Sequence, residues 1–458
     1  MFFVLVLINI LLKKLDIVIA FYRKFCIINL VKMMYREKLN DLYEWKKKKN
    51  KQPLLVRGAR KTGKTWIVQE FANQMYSNVI YVELGEKIVC NYLNEIKKLE
   101  NIQDVLNLEF DRNSDDIILI LDNIENITDL KELQIIVDKM TCDIILITSR
   151  LLESDLKFNV RTLKLFPLTY QEFLYAIEEN ELADYIEKLD FENINRESKK
   201  YVNNLKKYIY IGGMPEVVKR FAETKDYRLV REKQEEIINF IINDMKEEGT
   251  VLGDELKTVF LNSIEQVQKE QKEFDFRNIK IGTRLVQYEP IVNILKQRGY
   301  VYKVNKALRP GIPMDAFQDI SNFKLFPFDI GLISCLMNLD LSIILQGNEI
   351  FKVANSVFEK QFVIQELSNK IGTQIYYWKE SNTKYEIDFL VQLQAKVIPI
   401  KINLWDNKID SSIRWFHRKF ENYSSVNITF ERYKWQGWYT DIPIFLVGKI
   451  KELIAKNK

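Results

Sequence analysis

Apolar and polar positions along the first half of the chain follow two alternating rhythms. Short, nearly continuous apolar runs at 54–57, 79–84, 117–122, 143–148 and 162–165 read as buried strands. Between them, residues 64–76, 90–99, 130–139 and 169–178 carry apolar side chains at three- and four-residue spacing and read as helices. Strands alternating with helices predict a parallel sheet covered on both faces, an α/β fold. Beyond residue 250 the rhythm changes. Residues 256–304 have the rhythm of a winged helix, ending in Leu295-Lys296-Gln297-Arg298-Gly299-Tyr300-Val301-Tyr302. From Phe351, a helix at 357–367 precedes strands at Tyr376-Tyr377-Trp378, 385–391 and 397–403.

At 458 residues the chain is long enough for several domains. Five are expected: an apolar extension over 1–33, an α/β core over 34–195, a helical lid over 196–250, a winged-helix-like segment over 251–310, and a second α/β domain over 311–458. The extension opens with a charge-free apolar run of 12 residues, short of the roughly 20 that span a bilayer. Lys13, Lys14 and Asp16 end it, and no basic region precedes it as a secretory signal requires. On a helical wheel these residues fall with Arg23 and Lys24 on one half, as in an interfacial helix. A regular amphipathic opening begins only at Met34. The reading adopted is an upstream extension before a start at Met33 or Met34, without membrane contact.

Composition narrows the chemistry. The net charge of +5 is small for this length and does not argue for nucleic acid. Cys26, Cys90, Cys142 and Cys335 form no CxxC pair, so no zinc site or disulfide framework is indicated, and a reducing cytoplasm is expected. The single histidine, His417, rules out a multi-histidine metal site and is expected on a surface helix.

The chemical signal lies where the first strand meets the first long helix. Gly58-Ala59-Arg60-Lys61-Thr62-Gly63-Lys64-Thr65 reads G-x-x-x-x-G-K-T, a phosphate loop in the required strand–loop–helix context. The glycines let backbone N–H groups turn toward phosphate oxygens, and the helix N-terminus adds positive potential. Lys64 is expected to reach the β/γ phosphates, and the Thr65 hydroxyl to ligate Mg²⁺. ATP and Mg²⁺ are thus the expected ligands. Asp122 ends an all-apolar strand and is the second expected Mg²⁺ residue. Thr148 and Ser149 end the fourth strand, where they sense the γ-phosphate, position water or form a simple turn.

These motifs resemble the AAA-type P-loop ATPases that carry a C-terminal domain called DUF4143, from about Met34 to about Val447. The family's strand ending Asp-Glu-Ile-Gln corresponds to Asp122-Asn123-Ile124-Glu125, and its Thr-Gly-Ser turn to Thr148-Ser149-Arg150. Pro167-Leu168-Thr169-Tyr170-Gln171-Glu172-Phe173 and the Gly212-Gly213-Met214-Pro215-Glu216 turn are further family segments, as is Phe328-Asp329-Ile330-Gly331-Leu332. The resemblance implies a P-loop ATPase core, a helical lid, a winged helix and a C-terminal fold similar to restriction-endonuclease-like nucleases. It leaves DNA contact through the winged helix and assembly into homo-oligomers open. Arg150 and Arg161 are the arginine-finger candidates.

Two departures from the family pattern matter. Asn123 stands where the water-activating Glu is expected, and an amide cannot accept a proton. Glu125 lies two residues on, about 7 Å away along an extended strand, unless the chain turns after Asp122. Weak or regulated hydrolysis is therefore expected, with Asn123→Glu raising it. In the C-terminal domain, Glu386 and Asp388 share a strand face. The next strand carries Lys401 where the nuclease pattern has a metal-binding acid, and Asn403 where it has lysine. A cation there repels Mg²⁺, so Lys401 is expected to pair with Asp388 and the domain to be non-catalytic. The alternatives are a DNA-processing ATPase–nuclease effector and a nucleotide-switched interaction module.

Overall fold

The computed structural model describes residues 34–458 apart from 50, 86–87, 93–94, 108–115, 128, 248, 270, 272, 280–284, 346–350, 352–356, 406–408, 422–423 and 457–458. The extension over 1–33 and Cys26 lie outside the described residues. From Arg36 to Lys458 the chain forms one compact unit. Among the described residues, no helix is long and apolar enough to cross a membrane.

The α/β expectation is met by a seven-stranded sheet. Its strands are β1 (Leu54–Arg57), β2 (Asn78–Glu83), β3 (Ile88–Tyr92), β4 (Glu95–Leu99), β5 (Ile117–Asp122), β6 (Asp143–Thr148) and β7 (Arg161–Lys164). The order is β4-β3-β2-β5-β6-β1-β7, with β2, β5, β6, β1 and β7 parallel. Side-chain alternation explains the two covered faces. Leu54, Val56, Ile118, Ile120, Ile145 and Ile147 pack on α1 (Leu39–Lys46) and α2 (Lys64–Met75). Leu55, Leu119, Leu121, Ile144 and Leu146 pack on α3 (Leu130–Lys139). These strands are apolar throughout because both faces are buried.

One sequence expectation fails here. Where a helix was expected over 90–99, β3 (Ile88–Tyr92) and β4 (Glu95–Leu99) form an antiparallel pair. β3 pairs with the outer edge of β2, Val82 against Cys90, and Cys90 is fully buried in the core. An open edge of unpaired N–H and C=O groups outweighs a weak local helix pattern.

Helices α4 (Tyr170–Ala176), α5 (Asn180–Lys188), α6 (Phe191–Arg196), α7 (Ser198–Ile211), α8 (Pro215–Thr224), α9 (Tyr227–Lys246), α10 (Thr250–Gln268) and α11 (Leu285–Arg298) follow. The strand pair after them, β8 (Val301–Ala307) and β9 (Gln318–Pro327), belongs to a second sheet. That eight-stranded sheet runs β14-β15-β13-β12-β11-β10-β8-β9, with β10 (Ile375–Lys379), β11 (Glu386–Leu393) and β12 (Lys396–Ile402) at its centre, flanked by β13 (Ser425–Thr429), β14 (Lys434–Trp435) and β15 (Tyr439–Pro443). β8, which ends the segment expected as winged-helix-like, is thus built into the C-terminal sheet, where it pairs in parallel with β10. Two short helices, α12 (Ile330–Leu336) and α13 (Leu341–Leu345), lead to α14 (Val357–Ile371). His417 lies on α15 (Ser411–Phe420) and stacks on Trp438.

Candidate nucleotide site

Strand order and register assemble the site. β6 lies between β1 and β5, with Arg57 level with Thr148 and Asp122 level with Ile147. The phosphate loop, Thr148 and Asp122 therefore leave the sheet together at its carboxyl edge, where ligands of open α/β sheets bind.

The loop geometry explains its glycines. A Cβ on Gly58 would stand 2.2 Å from the Leu165 carbonyl oxygen. Gly63 caps α2 in the left-handed region, at φ 88°. Lys64 is buried, and its Nζ donates to the carbonyls of Gly58 and Ala59 at 2.9 and 2.8 Å. Burial pushes its ammonium down to about 8; Arg60 adds to this, while Glu125, Asp122 and Asp244 oppose it. Thr62 Oγ1 donates to the Ala59 carbonyl, and Arg36 Nη1 to the Thr62 carbonyl. Lys61 Nζ donates to Glu216 at 3.2 Å.

Thr65 Oγ1 donates to Asp122 Oδ2 at 2.6 Å, and Tyr81 OH donates to the same oxygen at 2.9 Å. The Asn123 N–H donates to Asp122 Oδ1. A hydroxyl and a carboxylate side by side are hard oxygen donors, and the set fits Mg²⁺, which takes one or two protein oxygens plus phosphate and water.

The chain turns after Asp122. Asn123 is left-handed at φ 58°, and a short 3₁₀ turn covers Ile124–Asn126. This brings Glu125 back into the site, with its side chain only 2% exposed. Glu125 Oε2 accepts from Thr148 Oγ1 at 2.8 Å, and Oε1 from the Ser149 N–H at 3.3 Å. The structure therefore brings together 58–65, Asp122, Asn123, Glu125, Thr148 and Ser149.

Arg60 links these parts. Its Nη1 donates to Asn123 Oδ1 at 3.0 Å, its Nη2 lies 3.2 Å from Glu125, and its Nε donates to Asp244 at 3.1 Å. Asp244, on α9, also accepts from Arg150 Nη2 at 3.0 Å. Sequence reasoning missed Asp244 and Tyr81. Asp244 has no motif around it, and Tyr81 is one aromatic among many; only the fold brings them to Asp122 and Arg60. Arg161 lies apart, on the edge strand β7.

In the C-terminal sheet, Lys401 Nζ lies 3.1 Å from Asp388 Oδ2, and Lys360 Nζ 3.8 Å from Oδ1. Burial alone would raise the Asp388 carboxyl. Lys401, Lys360 and Lys324 instead hold it down at about 2.

Residues 50–174 match the model of an AAA domain, and residues 356–445 that of a domain of unknown function, DUF4143. A further domain of unknown function, DUF8612, matches residues 202–342. No curated protein matches the chain. Among solved structures, a Walker-type ATPase of Pyrococcus abyssi is similar at 11% identity over 67% of this chain and 96% of that one, TM-score 0.42. The Orc1 protein of Aeropyrum pernix in complex with DNA is similar at 13% identity over 69% and 95%, TM-score 0.28. Drosophila ORC bound to DNA is similar at 12% identity over 70% and 94%, TM-score 0.24.

Proposed function

We propose, for a chain that carries an AAA domain and a C-terminal DUF4143 domain, that it hydrolyses ATP slowly, with Glu125 as general base, under restraint by its own helical lid. The observation that carries this reading is the placement of Glu125, turned back beside the Thr65–Asp122 pair and oriented by Thr148. The backbone of 58–65 and Lys64 hold the β and γ phosphates. Thr65 and Asp122 hold Mg²⁺, which when bound offsets phosphate charge. Glu125 accepts the proton of the attacking water, and Thr148 keeps the carboxylate aimed.

The restraint comes from Arg60. Arg60 occupies a Glu125 carboxylate oxygen in an ion pair, and Asp244 holds Arg60 there. Helix α9 that carries Asp244 is tied further along to α12, where Arg231 donates to Ser334 Oγ and to the Leu339 carbonyl. The Ile330 N–H of α12 in turn donates to Gln365 on α14 of the C-terminal domain. This chain of contacts supports coupling between nucleotide state and a non-catalytic C-terminal domain.

Glu125→Gln keeps the size and one accepting oxygen but removes the base. ATP turnover is expected to fall about 10²- to 10⁴-fold with ATP affinity retained. Undiminished turnover overturns the assignment. Asp244→Asn is expected to raise turnover severalfold; a drop would show that Asp244 assists catalysis instead.

A further inference from the structure

A cavity of about 570 Å³ lies behind the phosphate loop, between β7, the α11–β8 junction and the α14–β10 junction. Its volume is that of a small-molecule site. Lys38, Arg161, Lys164, Lys296 and Lys303 line it against one acid, Asp41. Two of these cations are balanced: Lys38 pairs with Asp41 at 2.9 Å, and Lys303 faces Glu289 at 3.9 Å. The other three form no ion pair among the described residues. Lys296 Nζ donates to a neutral amide, Gln374 Oε1, at 2.7 Å. Lys164 Nζ stands over the Phe166 ring at 5.1 Å, and no described carboxylate lies within ion-pair distance of it. Arg161 Nη1 is buried without a hydrogen-bond partner, as is Thr162 Oγ1 beside it.

Cations in one cavity without ion-pair partners are costly. Burial pushes Lys164 down to about 8, and the charges of Arg57 and Lys296 push the same way. Burial also lowers Lys296, with Lys303 adding to the effect and Asp315 opposing it. A fold that keeps such an arrangement without acids to match it is complementary to an anion. The wall next to these cations is aromatic, Phe166 and Tyr302 with ring centroids 6.2 Å apart. A planar base or sugar ring finds an apolar face there.

We propose that this cavity is a second ligand site, distinct from the phosphate loop, that takes a small phosphate-bearing molecule of mononucleotide size through Arg161, Lys164 and Lys296. Its position sets it against the nucleotide site. Lys164 is paired with Arg57 across β1 and β7, and the next residue, Leu165, is the one Gly58 packs on. Arg57 Nη2 donates to the Gln297 carbonyl, next to Lys296.

The test uses the full chain carrying Lys64→Ala, which weakens the phosphate loop, titrated with pyrophosphate, inorganic phosphate and AMP by calorimetry. One equivalent of pyrophosphate is expected to bind still, and adding Lys164→Met is expected to weaken it at least tenfold. Tighter AMP than inorganic phosphate binding assigns the aromatic wall to a base; equal binding assigns the site to phosphate alone. Lys164→Arg, which retains the charge, is expected to retain binding. Thermal melting provides a control for folding. Lys164→Met removes an unpaired, half-buried cation, so the ligand-free protein is expected to melt higher, while pyrophosphate no longer raises its melting temperature. No binding to the Lys64→Ala chain, or binding indifferent to Lys164→Met, overturns the proposal.

Discussion

Asp122 and Asp388 stand on central strands of the two sheets and are almost equally buried, 3% and 2% exposed. Their neighbours give them opposite uses. Asp122 is held by neutral donors, the hydroxyls of Thr65 and Tyr81 and the N–H of Asn123. Its negative charge is oriented but not cancelled, as a metal-binding carboxylate requires. Asp388 faces the ammonium groups of Lys401 and Lys360 and accepts from the Ile402 N–H. Its charge is consumed within the fold. Burial of an acid on a strand thus says little about chemistry until the charge of its partners is known.

The largest effect that could break this contrast is on stability. Asp388→Asn leaves Lys401 and Lys360 without their counter-charge, and stranding one partner of a buried ion pair costs about 3–5 kcal/mol. Asp122→Asn keeps one oxygen for the Thr65 and Tyr81 hydroxyls and loses the bond from the Asn123 N–H, so its cost is expected near the 0.5–1.5 kcal/mol of one neutral hydrogen bond. Urea unfolding of both variants measures the difference, and equal losses would erase the distinction. The pH dependence has a definite sign. Asp388 is held at about 2, below its ordinary 3.8, so its contribution is present above about 4 and fades as pH falls toward 2. Asp388→Asn is expected to lose this acid-sensitive part of the stability.

Next in size is ligand binding. Lys64→Ala removes the flexible cation of the phosphate loop, and a charge-assisted contact is worth about 1.5–3 kcal/mol. Calorimetry is expected to show ATP affinity falling tenfold or more, with the fold intact because Lys64 donates only to loop carbonyls. Unchanged affinity would remove the loop from the nucleotide site. The same measurement on Lys401→Ala is expected to leave ATP affinity unchanged, since that lysine serves Asp388.

What was legible in the sequence was local. The phosphate loop, the strand ending in Asp122 and the pairing of Lys401 with Asp388 each rest on a few residues whose spacing already fixes their neighbours. The strand pair at Ile88–Tyr92 and Glu95–Leu99 was not legible, because its conformation is decided by the free edge of β2 and not by its own periodicity. Asp244 was invisible for a related reason. It meets Arg60 across 184 positions of chain, a contact that only the packing of α9 over the loop creates. Glu125 was half legible. Its residue type drew attention, but its reach depended on the left-handed turn at Asn123.

That turn governs the smallest predicted effect. On sequence grounds Asn123→Glu restores the acid expected after Asp122 and raises turnover. Geometry argues for a different outcome. Asn123 sits at φ 58°, where asparagine is at home and a longer side chain loses about 1 kcal/mol or more. Its side chain meets Arg60 Nη1, not the Thr148 hydroxyl, which already holds Glu125. A glutamate there would compete with Glu125 for Arg60 and gain no orienting partner. Weakening the Arg60–Glu125 pair favours turnover, while strain in the turn that positions Glu125 disfavours it. These opposing terms are each about 1 kcal/mol, so the net change in turnover is expected within about fivefold either way. The measurement is steady-state ATP hydrolysis by Asn123→Glu in the wild-type and Glu125→Gln backgrounds. Recovery of wild-type turnover in the double variant would show that position 123 can hold the base after all, and that the two acids are interchangeable at this site.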